Sequence, residues 1–117
     1  MAKTKTFEIE LKESKGTFNI FKATNFNKDT YDFSSLLTLR QLLSNEKARI
    51  LDAIKTKKPG SVYELSKLLS RGFKSVNDDV KLLKRFGIID LIDEKVKGRK
   101  RLRPVIILDK IIINLEI

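Results

Sequence analysis

Between Lys95 and Arg103 the chain carries six basic residues in nine, Lys95, Lys97, Arg99, Lys100, Arg101 and Arg103, with no acid among them. Like charges this close repel one another, so the run is expected to meet an anion. A second basic set lies upstream, where Lys74, Lys81, Lys84 and Arg85 surround Asn77 and Asp78. Ammonium and guanidinium groups bind phosphate oxygens, and an Asn amide can pair with an adenine edge through one donor and one acceptor. That chemistry suits a nucleic acid, whose phosphates call for charge and whose bases call for directed hydrogen bonds. Exposed Lys is ordinary, so the meaning of both sets rests on the elements that carry them.

Composition points the same way. Lys and Arg number 25 against 15 Asp and Glu, a formal charge of +10 over 117 residues, which favours nucleic acid or an anionic surface as partner. The longest unbroken apolar run is Val105 to Leu108, four residues against the ~20 of a membrane span, so no membrane association is expected. Cys and His are both absent, which excludes disulfides, thiolate or imidazole metal sites, cysteine nucleophiles and Ser-His-Asp triads. No carboxylate pair resembles an active site: Glu8 and Glu10 share one face of an expected strand, and Asp93-Glu94 is expected in a turn. Neither enzymatic activity nor a cofactor or metal is therefore expected. Met1 to Lys15 alternates charged and apolar residues without a secretory apolar core, so a cytoplasmic protein is expected.

Phe7, Ile9 and Leu11 alternate with Glu8, Glu10 and Lys12, the period of two of a half-buried strand. Thr17 to Phe33 reads either as a second strand or as a short helix plus a loop. Beyond it, Ser34 or Ser35 can cap a helix with Leu36, Leu39 and Leu43 on one side. Ser44 caps the next, whose stripe is Ile50, Leu51 and Ile54, and Pro59-Gly60 ends it. Ser61-Val62-Tyr63-Glu64 is a capping box opening a short helix with Val62, Leu65, Leu68 and Leu69 apolar. Ser70 to Phe73 forms a turn. A further helix from about Lys74 to Arg85 buries Val76, Val80 and Leu83, which fall within about 60° of one another, and ends at Phe86-Gly87. Lys74, Asn77, Asp78, Lys81, Lys84 and Arg85 take its opposite side. The Phe residues are expected in the core, and Tyr63 is expected to pack between helices, with stacking or a hydrogen bond near a phosphate as the alternative. Arg71 and Asp79 can form a structural ion pair or turn hydrogen bond as readily as touch DNA, and Asp79, near the buried stripe, is expected to be structural.

Ile88 to Ile92 and Pro104 to Leu108 read as two strands, with Lys95 to Arg103 as the basic tip between them and Gly98 as a turn former. The final segment, Ile111 to Ile117, largely alternates and matches the N-terminal strand in character. The two ends are expected to pair, within the chain or between subunits, since such strands would expose sticky edges alone.

A short helix, a tight turn, a second helix and a hairpin with a basic tip follow one another from Ser61 onward. Ser61 to Gly87, followed by Ile88-Ile89, resembles the core of the MarR-like winged helix-turn-helix transcription regulators, and the similarity covers roughly Leu36 to Leu108. Small prokaryotic members, some of antitoxin type, are most similar. The resemblance implies an α+β fold: a winged helix-turn-helix of three to four helices with a β-hairpin wing, plus N- and C-terminal strands. Residues 1–33 are expected to form a strand and connecting dimerisation arm, and residues 34–117 the DNA-binding domain. It further implies sequence-specific binding of double-stranded DNA by a homodimeric repressor or autoregulator. Arg71, Lys74, Ser75, Asn77 and Lys81 occupy positions such proteins turn toward DNA. Asp78, Lys84 and Arg85 complete the helix set, and the basic tip would follow the backbone or enter the minor groove. Asp78 is a departure, standing where the family often carries a basic residue. It could accept from a cytosine amino group, or pair with Lys74 or Lys81. Competing readings are an adaptor or antitoxin whose main partner is another protein, and a binder of structured RNA.

Overall fold

The computed structural model describes residues 6–24 and 36–117. The elements run β1 (Thr6–Ser14), β2 (Thr17–Thr24), α1 (Leu36–Leu42), α2 (Asn45–Lys57), α3 (Val62–Leu68), α4 (Phe73–Arg85), β3 (Ile89–Val96), β4 (Arg99–Ile106) and β5 (Lys110–Glu116). The architecture is α+β, and the described residues form four helices and two small sheets. Among the described residues no helix is long and apolar enough to cross a membrane.

Local sequence explains the helix ends. The Ser44 hydroxyl accepts from the Lys47 amide at 3.3 Å and starts α2. At α3 the Ser61 hydroxyl accepts from the Glu64 amide at 3.0 Å, while the Glu64 carboxylate accepts from the Gly60 amide at 3.0 Å. The box thus closes one residue further upstream than the reciprocal pairing expected from sequence. Helix α4 ends in paired bonds, from the Gly87 amide to the Lys84 carbonyl at 2.9 Å and from the Ile88 amide to the Leu83 carbonyl at 3.1 Å. Gly87 takes φ +74° there, a left-handed conformation that glycine adopts without strain.

The core unites Leu39, Leu42, Ile50, Ile54, Val62, Leu65, Val76, Val80, Leu83, Phe86, Ile88 and Ile89. Val76, Val80 and Leu83 are fully buried, as the helical spacing predicts. In α1 Leu42 is buried beside Leu39, whereas Leu43, just past the helix end, is 60% exposed. In α2 it is Ala53 that is buried with Ile50 and Ile54, while Leu51 is partly covered. Leu68 is likewise exposed at the last turn of α3. The expected caps Ser34 and Ser35 lie outside the described residues.

The smaller sheet is the antiparallel hairpin β3-β4. Its arms pair from Ile89↔Ile106 out to Val96↔Arg99, so the turn is Lys97-Gly98 alone, with φ 54° and 78° at its two residues. Two successive positive φ values are those of the tight turn that matches strand twist. The basic stretch is therefore strand for most of its length, and Asp93 and Glu94 sit in β3, not in a turn. Long polar side chains alternate with Val96 and Leu102 here, and the pairing continues because the two-residue turn fixes the register of both arms.

The larger sheet has the order β2-β1-β5. Thr17–Thr24 is a strand, which settles the described part of the segment left open between strand and helix. The chain's two ends pair within one molecule: β1 and β5 run parallel, from Thr6↔Lys110 to Lys12↔Glu116. Phe7, Ile9 and Leu11 are buried, and Ile111, Ile113 and Leu115 stand beside them on the same face.

Candidate nucleic-acid interface

Helix α4 presents its charged residues other than Asp79 as one exposed arc. Lys74, Asp78, Lys81, Lys84 and Arg85 are all exposed, opposite the stripe of Val76, Val80 and Leu83. Asp78 has no ion-pair partner among the described residues, so neither Lys74 nor Lys81 neutralises it. Asn77 is half-buried on the side turned toward the hairpin, at the wall of an open cleft of about 510 Å³. That cleft is lined by Ser61, Val62 and Tyr63 of the α3 start, by Phe73 and Asn77, and by Val96 and Arg99 to Leu102 of the hairpin. The Asn77 amide and three basic side chains from a distant segment thus line one groove.

The basic residues divide into those held internally and those left outward. Arg71 is held: its Nη2 donates to Asp79 Oδ2 at 2.8 Å and to Ser75 Oγ at 2.6 Å. Asp79 is also approached by Lys47 Nζ of α2 at 3.1 Å, so one carboxylate ties α2, the turn and α4 together. Asp79 is structural, as its place near the buried stripe implies, and Ser75 is drawn into the same network. The second Arg71 terminal nitrogen, Nη1, is buried without a hydrogen-bond partner. Arg103 is also held, through its Nε to Glu94 Oε1 on the paired strand.

Arg101 occupies an intermediate position. It stands half-buried in the hairpin opposite Glu94, where its guanidinium packs on the backbone of Gly60. A Cβ at Gly60 would approach Arg101 Nη2 to 2.9 Å. Only glycine admits this approach. Lys95, Lys97, Arg99 and Lys100 are exposed and hold no ion pair among the described residues. Lys95 and Lys100 stand directly opposite each other in the hairpin, a repulsive cross-strand pairing that a bound anion would relieve.

Two aromatic residues at the cleft are absent from the sequence-derived set. Tyr63 is 58% and Phe73 47% exposed, with ring centroids 6.4 Å apart and planes tilted by 45°. The sequence places Phe73 and Phe18 in the core, and both are exposed, as is Tyr63, whose expected place is between helices. Lys67 Nζ lies 5.1 Å from the Tyr63 ring centroid, a cation–π contact. A signal was present in the spacing, since Phe73 lies one helical turn before Asn77 and so shares its side of α4. Exposed rings beside cations offer apolar contact to sugars and base faces as well as charge to phosphates.

No curated protein and no solved structure matches the chain. The model of one protein family, HVO_A0114, matches residues 42–113, a span running from the end of α1 through the helices and hairpin into β5. More than half of the chain lies within that match, and the chain therefore belongs to the HVO_A0114 family.

Proposed function

We propose that this chain is a winged helix-turn-helix protein of MarR-like type, a sequence-specific regulator that binds double-stranded DNA as a homodimer and represses transcription. The single observation that carries the reading is the groove in which Asn77 of α4 faces Arg99, Lys100 and Arg101 of the hairpin. In this reading α3 and α4 are the helix-turn-helix pair and β3-β4 the wing. Helix α4 enters the major groove, where Asn77 and Lys81 reach base edges and Lys74 and Arg85 flank them toward phosphates. The hairpin tip lies on the backbone or in the adjacent minor groove, with Lys95, Lys97, Arg99 and Lys100 as its outward charges. Arg71 and Ser75 act from behind, fixing the turn through Asp79. Asp78, unpaired on the helix surface, favours a cytosine amino group over a phosphate nearby.

The testing experiment is titration of the purified chain against its own promoter, a scrambled DNA duplex and an RNA duplex across a salt series. A dimer that neutralises 6 to 10 phosphates loses about 10³ to 10⁵ in affinity between 50 and 200 mM salt. Preference for the promoter that persists at physiological salt is the expected result. Equal affinity for promoter, scrambled DNA and RNA at every salt concentration overturns it.

A further inference from the structure

β5 closes one side of the three-stranded sheet, and among the described residues no strand pairs with its outer edge. Its sequence, Lys-Ile-Ile-Ile-Asn-Leu-Glu, has none of the devices that guard an edge. There is no proline, its pairing with β1 runs without a bulge, and its charges stand only at the two ends. Ile113 is 39% and Leu115 53% exposed, although both share the face on which Phe7, Ile9 and Leu11 are buried. An open edge beside uncovered apolar side chains needs an occupant.

The sequence of β5 identifies it. We propose that β5 pairs antiparallel with β5 of a second copy of this chain, about a two-fold axis through Ile113. In that register Lys110 stands opposite Glu116 of the partner subunit, and the same pair recurs at the other end by symmetry. Ile111 meets Leu115 of the partner subunit, and Ile113 meets its own equivalent, all on the apolar face. Ile112 meets Asn114 of the partner subunit on the other. Lys110 and Glu116 are both exposed. A slip of one residue sets the apolar face against the polar one. A slip of two in either direction leaves neither charge opposite the other. The strand is therefore self-complementary in one register, and two three-stranded sheets merge into one of order β2-β1-β5-β5-β1-β2 with a doubled apolar face.

The proposal supplies the interface for the homodimer in the preceding reading, and it is tested without DNA, so the two fail separately. Sedimentation equilibrium of the full chain measures the dimer dissociation constant for Lys110→Glu, Glu116→Lys and the double swap. Each single swap turns two attractive cross-strand pairs repulsive, and weakens the dimer roughly tenfold or more. The double swap restores it. Ile113→Lys, which sets two like charges on the axis, gives a monomer, with an unchanged circular dichroism spectrum showing that the fold persists. A native chain that stays monomeric at about 0.1 mM overturns the proposal. So does a dimer indifferent to the single swaps, or one that the double swap fails to restore.

Discussion

Asp79 and Arg71 meet at 2.8 Å across eight positions of sequence, closing the turn between α3 and α4 from beneath. Lys47 reaches the same carboxylate at 3.1 Å, and its side chain and that of Asp79 are only 13% and 17% exposed. Partial burial strengthens such contacts relative to surface ion pairs, and makes the loss of one partner more costly than its presence is beneficial. Replacing Asp79 with Ala leaves two cations facing each other around an empty position. Urea denaturation is expected to show a loss of about 1 to 3 kcal/mol, and an unchanged midpoint would refute the clamp.

The outward charges of the hairpin behave differently. Arg99→Ala with Lys100→Ala is expected to weaken binding to every DNA duplex alike and to lower the salt slope by about 0.9 for each phosphate contact removed. Stability does not fall, because neither residue is buried and the Lys95–Lys100 repulsion is relieved. Fluorescence anisotropy across a salt series, paired with thermal melting, checks both halves. A sequence-selective loss would show that these side chains read bases.

Asn77→Ala tests the base reader. Affinity for the preferred duplex is expected to drop by about 1 to 3 kcal/mol while affinity for scrambled DNA stays level. Competition binding measures the ratio directly. An equal drop on both duplexes would assign Asn77 to the backbone instead.

Gly60 and Arg101 give a test in which the altered residue itself need not touch the ligand. A methyl group at Gly60 collides with the end of a flexible side chain, so Gly60→Ala moves the Arg101 guanidinium while costing under about 1 kcal/mol of stability. DNA affinity is expected to fall several-fold with the melting temperature nearly unchanged. Wild-type affinity would place Arg101 outside the interface.

Tyr63→Ala separates contact from packing at the cleft. The ring is 58% exposed, so its removal is expected to change stability by no more than about 1 kcal/mol. Binding should weaken across all sequences, since an aromatic face contacts sugars and bases without reading them. Calorimetric melting beside binding isotherms distinguishes this from a core role, for which stability falls and binding follows it.

Features that depend on neighbours a few residues apart were legible along the chain. The stripe of Val76, Val80 and Leu83, the caps at Ser44 and Ser61, and the stop at Gly87 all arise from i, i+3 and i+4 relations and from backbone preference. Asp79 was legible as structural for the same reason, lying beside the buried stripe. Which cations remain available depends on contacts made across the fold. Arg71 found Asp79, one of two outcomes the sequence left open, while Arg103 found Glu94 and Arg101 the bare backbone of Gly60, partners that composition cannot assign. The fold also turned Tyr63 and Phe73 outward, because the core around α3 and α4 is already filled by Val62, Leu65 and Val76. The parallel pairing of β1 with β5 joins residues about a hundred positions apart, from Thr6↔Lys110 to Lys12↔Glu116. Alternation marks both strands, but partner, direction and open edge are settled only when the chain closes over that distance, since a period of two carries no information about what lies alongside.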